Sequence, residues 1–301
     1  VPTTSGSPTN VQSRHHHRTV PLGVAVMCAL VLAACAPTAP PPRALVAADH
    51  RSGTVADEAD VPYGPYAEQV LDVYRTTSTT RRGTIVFVHG GGWTSGDKGT
   101  LTAGTFGPVL AQLDRGFDLV SVDYRLAPAH PFPAALDDVA LAIDWVTAEG
   151  TGHGLDTRRV LVMGHSAGGS LAAMIGTSPG QRTEFGTVPR VDRWVAISAM
   201  STYDGGGILD DFPGNWGLTT PAARLMAAPI NTVDRTDPPG YLVHGDLDGF
   251  VADWHSAFFA ARASAIGADV RFDHITSGPT ECRGHFGPCG ADLNPLQAFL
   301  G

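Results

Sequence analysis

Two glycine-rich motifs constrain this chain more than anything else in it: His89-Gly90-Gly91-Gly92-Trp93 and Gly164-His165-Ser166-Ala167-Gly168-Gly169. The second fits G-x-S-x-G, in which a serine sits on a sharp strand-to-helix turn with its hydroxyl exposed. Such a turn forces strained backbone angles on the serine, and bulky neighbours would block the close approach of strand, helix and substrate. The flanks agree. Arg159 to Met163 ends in a short apolar run, as expected of a strand buried on both faces. Ala167 to Ile175 is rich in Ala and Gly, with Leu171, Met174 and Ile175 at helical spacing. The first motif is a glycine loop whose backbone N–H groups point at a developing oxyanion. In this order the two imply acyl transfer to water by an activated serine, with Ser166 as nucleophile and the N–H groups of Gly91, Gly92 and Ala167 as oxyanion donors. Trp93 either walls a substrate pocket or packs as core, and the sequence leaves these two roles even.

A third segment narrows the family. Asp123-Tyr124-Arg125-Leu126-Ala127-Pro128 is followed by His130-Pro131-Phe132-Pro133-Ala134-Ala135 and a helix through Trp145. Here the chain resembles the α/β-hydrolases of the hormone-sensitive-lipase-like and related carboxylesterase group, whose members carry HGGG, a DYRLAP-like stretch and G-x-S-A-G-G in that order. Gly96-Asp97-Lys98 is similar to the bacterial esterase and kynurenine-formamidase-like branch. The resemblance implies an α/β fold of the hydrolase type: a mostly parallel central sheet, helices on both faces and a short cap. It covers residues 60 to 300, and its motifs specify fold and mechanism better than substrate. DYRLAP itself reads as architecture, a strand over Asp118 to Tyr124 and a proline turn, because prolines and apolar residues cannot move protons.

In this fold the serine is followed along the chain by an acid and then a histidine. The next strong strand after Ser166 is Gly240 to Gly245, and Asp246 and Asp248 both lie in the acidic turn behind it, where catalytic groups gather at the carboxyl ends of parallel strands. The family pattern G-x-x-D places the catalytic carboxylate on Asp248 and leaves Asp246 to bond turn amides. A helix over Asp253 to Ile266 and a strand over Asp269 to Ile275 come next. His274 falls inside that strand as a packed or edge side chain. His285, in the loop Thr280 to Phe286, holds the position of the family's base. In the resembling enzymes the motif histidines at the positions of His89 and His165 are supporting residues.

The N-terminus reads as an export signal. Arg14 and Arg18 precede an uncharged, mostly apolar run from Thr19 to Ala34, which at sixteen residues is short for a membrane span of about 20. Leu32-Ala33-Ala34-Cys35 looks like a bacterial lipobox, which makes residues 1–34 the signal, Cys35 the lipidated residue and 35–52 a lipidated, Pro-rich tether before a hydrolase domain at 53–301. The alternative is ordinary cleavage and secretion. Loss of Arg14 and Arg18 takes the formal charge from −9 to −11, which argues against electrostatic docking on anionic lipid. The protein is therefore expected in an extracytoplasmic bacterial envelope, touching the membrane through its anchor alone. Of four cysteines, that leaves Cys282 and Cys289 as an even pair bracketing His285, expected as a disulfide. No metal-ligand set, cofactor motif or basic stripe for nucleic acid appears.

The expected function is hydrolysis of a small-molecule ester with a short acyl group. The segment Ala199 to Pro239, with Tyr203, Phe212, Trp216 and glycines at 205 to 207, offers no large apolar cap for a long chain. An amide hydrolase (an arylformamidase or small deacetylase) would use the same triad. A non-catalytic binding protein on a hydrolase fold would be expected to have lost a triad member or an oxyanion glycine, and none is lost. Natural substrate and oligomeric state are not written in the sequence.

Overall fold

The inner strands carry apolar side chains toward both sides, which only a sheet covered on both faces can bury. The computed structural model describes residues 55–101, 103–203, 216–286 and 294–301. The expected signal, Cys35 and the tether, glycines 205 to 207, Phe212 and Cys289 lie outside the described residues. In chain order the elements are β1 (Glu58–Pro62), β2 (Val70–Tyr74), β3 (Gly83–Val88), α1 (Ala103–Leu110), β4 (Phe117–Val122), α2 (Ala134–Glu149), β5 (Val160–His165) and α3 (Ala167–Thr177). There follow β6 (Arg193–Ile197), α4 (Pro221–Ala227), α5 (Pro229–Thr232), β7 (Gly240–Gly245), α6 (Trp254–Ile266), β8 (Val270–Ile275), α7 (Thr280–Arg283) and α8 (Asn294–Leu300). Short 3-10 turns at Lys98–Thr100 and Gly150–His153 complete the set.

Eight strands form one sheet in the order β1-β2-β4-β3-β5-β6-β7-β8. β1 and β2 run antiparallel to their neighbours, and from β4 onward every pairing is parallel. Strand alternation sorts the core into two layers. Val86, Val88, Val120, Val162, Trp194 and Leu242 face the side covered by α2, α3 and α6. Ile85, Phe87, Leu119, Met163, Val195 and Tyr241 face the side where Phe106 and Val109 of α1 and Leu296 and Phe299 of α8 close the core. Each such buried side chain contributes about 1.5–3 kcal/mol by leaving water.

The sequence placed β4, β5, β7 and β8 to within about two residues. The expected strand over Asp118 to Tyr124 stops at Val122; the Asp123 N–H still donates to Val70 O on β2 at 3.0 Å, and the Asp123 carboxylate accepts from the Lys98 N–H at 2.5 Å. The loop expected over Thr280 to Phe286 begins instead as the single turn α7. Because β3 lies between β4 and β5, the chain leaves β3 to one side and returns on the other. Clefts open at the carboxyl ends of strands at such a reversal.

Candidate active site

Ser166 stands between the end of β5 and the start of α3 at φ 55° and ψ −121°. Such angles cost a residue with a side chain, and they persist only where the surroundings hold them. Here the Ser166 N–H donates to Ile197 O at 2.8 Å and its carbonyl accepts from the Ser170 N–H at 3.0 Å. The turn also needs Gly168. A Cβ there would lie 2.2 Å from Val88 O and 2.3 Å from His89 O, so strand β3 could not pass so close to α3.

The glycine loop leaves β3 directly beside the serine: a Cβ on Gly90 would come within 3.1 Å of Ser166 Cβ. Gly91 has φ 115° and Gly92 φ 59°, and the loop is closed by N–H bonds from Thr94 and Ser95 to Gly91 O at 3.2 and 3.1 Å. Among the described residues, the N–H groups of Gly91, Gly92 and Ala167 make no hydrogen bond. They are free to donate to a substrate oxygen. Trp93 is 1% exposed, stacks on Trp216 at 4.1 Å and meets Tyr203 edge-on at 5.8 Å. Of the two roles open to it, it is packed as core and presents no free face to a pocket.

β7 delivers Asp248 through the turn after Gly245, and the segment after β8 delivers His285. His285 Nε2 lies 2.9 Å from Ser166 Oγ, and His285 Nδ1 lies 2.8 Å from Asp248 Oδ2. Asp248 Oδ1 accepts the N–H groups of Phe250 and Val251, both at 2.9 Å. Burial alone would push the Asp248 carboxyl up, but hydrogen bonds from His244 and His285 outweigh it and hold the group well below the usual carboxylate range. The carboxylate therefore stays ionised. With a proton fixed on His285 Nδ1 by that carboxylate, Nε2 is left to accept from the serine hydroxyl.

The competing aspartate has a different job from the turn-amide role expected of it. Asp246 makes a two-pronged ion pair with Arg283, at 2.7 and 2.6 Å, and the Arg283 guanidinium lowers its carboxyl below the ordinary range. The pair ties α7, two residues before His285, to the end of β7. His274 lies on the edge strand and bonds Asp253 at 2.8 Å, away from the serine.

His89, His165, His244 and His255 are buried beside the site. His165 Nε2 donates to the main-chain oxygen of His285 at 2.7 Å, and burial, with the nearby His285, pushes His165 down to about 3. Burial likewise lowers His89 and His255 to about 4, and it raises Asp137 to about 6. Sequence reasoning gave no part to His244, Ser256 or Arg283. A signal for the first was present: a histidine inside the apolar run Tyr241 to Val243 must find a polar partner when buried. Phe250 and Phe286, both more than half exposed, flank the His285 ring at 5.2 and 5.4 Å. Cys282 is buried, and its expected partner Cys289 is outside the described residues. Among the described residues no cluster of three or more His, Cys, Asp or Glu could hold a metal, and no helix is long and apolar enough to cross a membrane.

A doubly covered, mostly parallel sheet with a serine on a strained strand-to-helix turn and a histidine and an aspartate from the next strands is an α/β-hydrolase fold. Comparisons with known proteins agree. The BD-FAE family model matches residues 71–201. Carboxylic ester hydrolase LipN of Mycobacterium tuberculosis is 40% identical over 234 residues, which is 69% of this chain and 60% of that protein. Esterase LipC of the same organism is 30% identical over 223 residues, 68% of this chain and 55% of that protein. The chain spans about half the length of the curated relatives it matches. Among solved structures, a truncated form of a carbohydrate esterase from gut microbiota superposes with a TM-score of 0.72 at 20% identity, covering 83% of this chain and 97% of the other. The apo form of Thermogutta terrifontis esterase 2 gives a TM-score of 0.62 at 21% identity, covering 85% and 94%. The chain belongs to the α/β-hydrolase superfamily, in the hormone-sensitive-lipase-like esterase group.

Proposed function

We propose that this protein hydrolyses carboxylic esters of short acyl chain through Ser166, His285 and Asp248. The observation that carries the reading is the unbroken hydrogen-bonded row from Ser166 Oγ through His285 to Asp248, at 2.9 and 2.8 Å. The similarity to the ester hydrolases LipN and LipC supports the same chemistry.

His285 Nε2 takes the proton of Ser166 as its oxygen attacks the ester carbonyl. Asp248 steadies the imidazolium that results without taking the proton itself. The carbonyl oxygen, now negative, accepts the N–H groups of Gly91, Gly92 and Ala167, each such donor being worth roughly 10²–10³ in turnover. His285 then protonates the departing alkoxide and the acyl group stays on Ser166. Water repeats the sequence: His285 takes its proton, the hydroxide attacks the acyl carbon, and the proton returns to Ser166 as the acid leaves. No step draws on a cofactor.

The short-acyl preference rests on the sequence of Ala199 to Pro239, which offers no long apolar cap. The lipid anchor at Cys35, the extracytoplasmic location and the Cys282–Cys289 bridge belong to the same proposal and rest on the sequence. Ser166→Ala tests the core of it. Hydrolysis of p-nitrophenyl acetate should vanish while circular dichroism stays unchanged, and a folded variant keeping more than about 1% of turnover would remove Ser166 from its role. N-acetyl and N-formyl amides run beside the esters decide between ester and amide cleavage.

A further inference from the structure

Asp248 is held by two imidazoles. Beside His285, the ring of His244 approaches the same carboxylate oxygen: His244 Nε2 lies 3.1 Å from Asp248 Oδ2 and 2.9 Å from Val251 O. Carboxylate and carbonyl oxygens only accept, so Nε2 must carry the proton. On the other side of the ring, His244 Nδ1 lies 2.8 Å from Ser256 Oγ, which then donates to it. Both nitrogens are thus committed and the tautomer is fixed by its partners. The side chain is fully buried on β7, four residues before Asp248.

We infer that His244 is a positioning residue for hydrolysis, which sets the basicity of His285 through the Asp248 oxygen that the two rings share. The inference rests on the functional reading above. Oδ2 divides its negative charge between two N–H donors, and the N–H that His244 supplies reduces what is left to stabilise the His285 imidazolium. It also closes the carboxylate's freedom to swing, since Oδ1 is already held by two backbone N–H groups. His244 thereby holds the geometry while moderating the base, and Ser256 on α6 keeps its donor aimed.

The other groups around this row are few. His165 on β5 meets the His285 ring at 4.7 Å and is neutral, His255 on α6 feels both His244 and Asp248 and is neutral, and the Asp246–Arg283 pair is internally compensated. Among the described residues near the row, the Asp248 charge is therefore the one that His285 senses most closely, and a change in how it is shared reaches the pH dependence of turnover.

The experiment is the pH profile of kcat/KM on p-nitrophenyl acetate for the wild type, His244→Phe, His244→Gln and Ser256→Ala, each checked by circular dichroism and melting. In His244→Phe, which keeps the ring and loses the donor, the acid limb should move to higher pH by about 0.5–1 unit. Its kcat should fall about 10- to 100-fold with KM little changed. His244→Gln, which restores an N–H, should recover part of both effects, and Ser256→Ala should shift the limb the same way by less. A folded His244→Phe with an unmoved limb overturns the inference. If that variant does not fold, an unmoved limb in Ser256→Ala overturns it. Imidazole ¹⁵N spectra test it without turnover: His244 should carry its proton on Nε2 at neutral pH, and a proton on Nδ1 overturns it. A protein that turns over no ester, yet shows the Nε2–H tautomer, would sink the hydrolytic reading and leave the shared hydrogen bond standing.

Discussion

Acidification from pH 6 to pH 5 should destabilise the fold by about 2.5 kcal/mol, through histidines that cannot take up protons where they lie. His89, His165 and His255 are each less than a tenth exposed, and burial lowers them to about 4, about 3 and about 4. Released by unfolding, each returns to about 6.5. Below that value the unfolded chain binds three protons that the folded chain refuses, so stability present above about pH 6.5 drains away as pH falls toward 4. Asp137 works in the opposite sense. Burial raises it to about 6, so it gains its proton first in the folded state and returns some stability. Averaged over the interval, the histidines contribute about 2.5 excess protons in the unfolded state and Asp137 removes about 0.7, and each net proton is worth about 1.4 kcal/mol per pH unit. For a domain of this size the melting temperature should fall by about 5–10 °C. Calorimetry or scanning fluorimetry at constant ionic strength measures it. His255→Gln, which deletes one of the three, should flatten the slope by about 1.2 kcal/mol per pH unit. A melting temperature that is level or rising from pH 6 to pH 5, or a slope that His255→Gln leaves unchanged, would refute the reasoning.

Asp248→Asn should lower turnover on the order of 10⁴-fold as control of the His285 tautomer is lost, whereas Asp246→Asn should cost far less; steady-state kinetics on p-nitrophenyl acetate rank the two, and the reverse order would move the acid to Asp246. Across p-nitrophenyl esters, kcat/KM should peak at about two to six acyl carbons, because a longer tail finds no apolar cap to gain about 0.8 kcal/mol per methylene, and a maximum at twelve carbons would contradict this. The mature protein should hold Cys282 and Cys289 as a bridge worth about 2–3 kcal/mol, so that alkylation followed by intact mass finds no free thiol until reductant is added.

The parts of the structure legible in the sequence were those whose steric demands are local. A strand, a tight turn and a helix around Ser166 follow from glycines that leave no room for other residues, and the structure shows why at Gly168. The strands β7 and β8 follow from apolar runs bounded by turn residues, and each lies within a residue of its expected limits. The placement of Asp248 and His285 needed more than that, namely the order of motifs in a resembling family. What stayed illegible depends on which side chain meets which across the fold. Nothing near Asp246 in the chain announces Arg283, and nothing in Tyr241 to Gly245 says that His244 will reach Asp248 as well as a backbone oxygen. Trp93 was undecidable for the same reason, since its stacking partner Trp216 lies on a distant segment.

Ser166 and Asp248 follow the ends of β5 and β7, His285 follows α7, and Ser166 and His285 are separated by 119 positions along the chain. Function is therefore assembled late. A ribosome has made the serine turn, the glycine loop and most of the sheet before the base exists, and contacts of such long sequence separation form slowly. During refolding, helix signal should return ahead of ester turnover. On the proposed triad, synthesis of residues 241–286 is the step that brings an acid and a base to a serine turn already made.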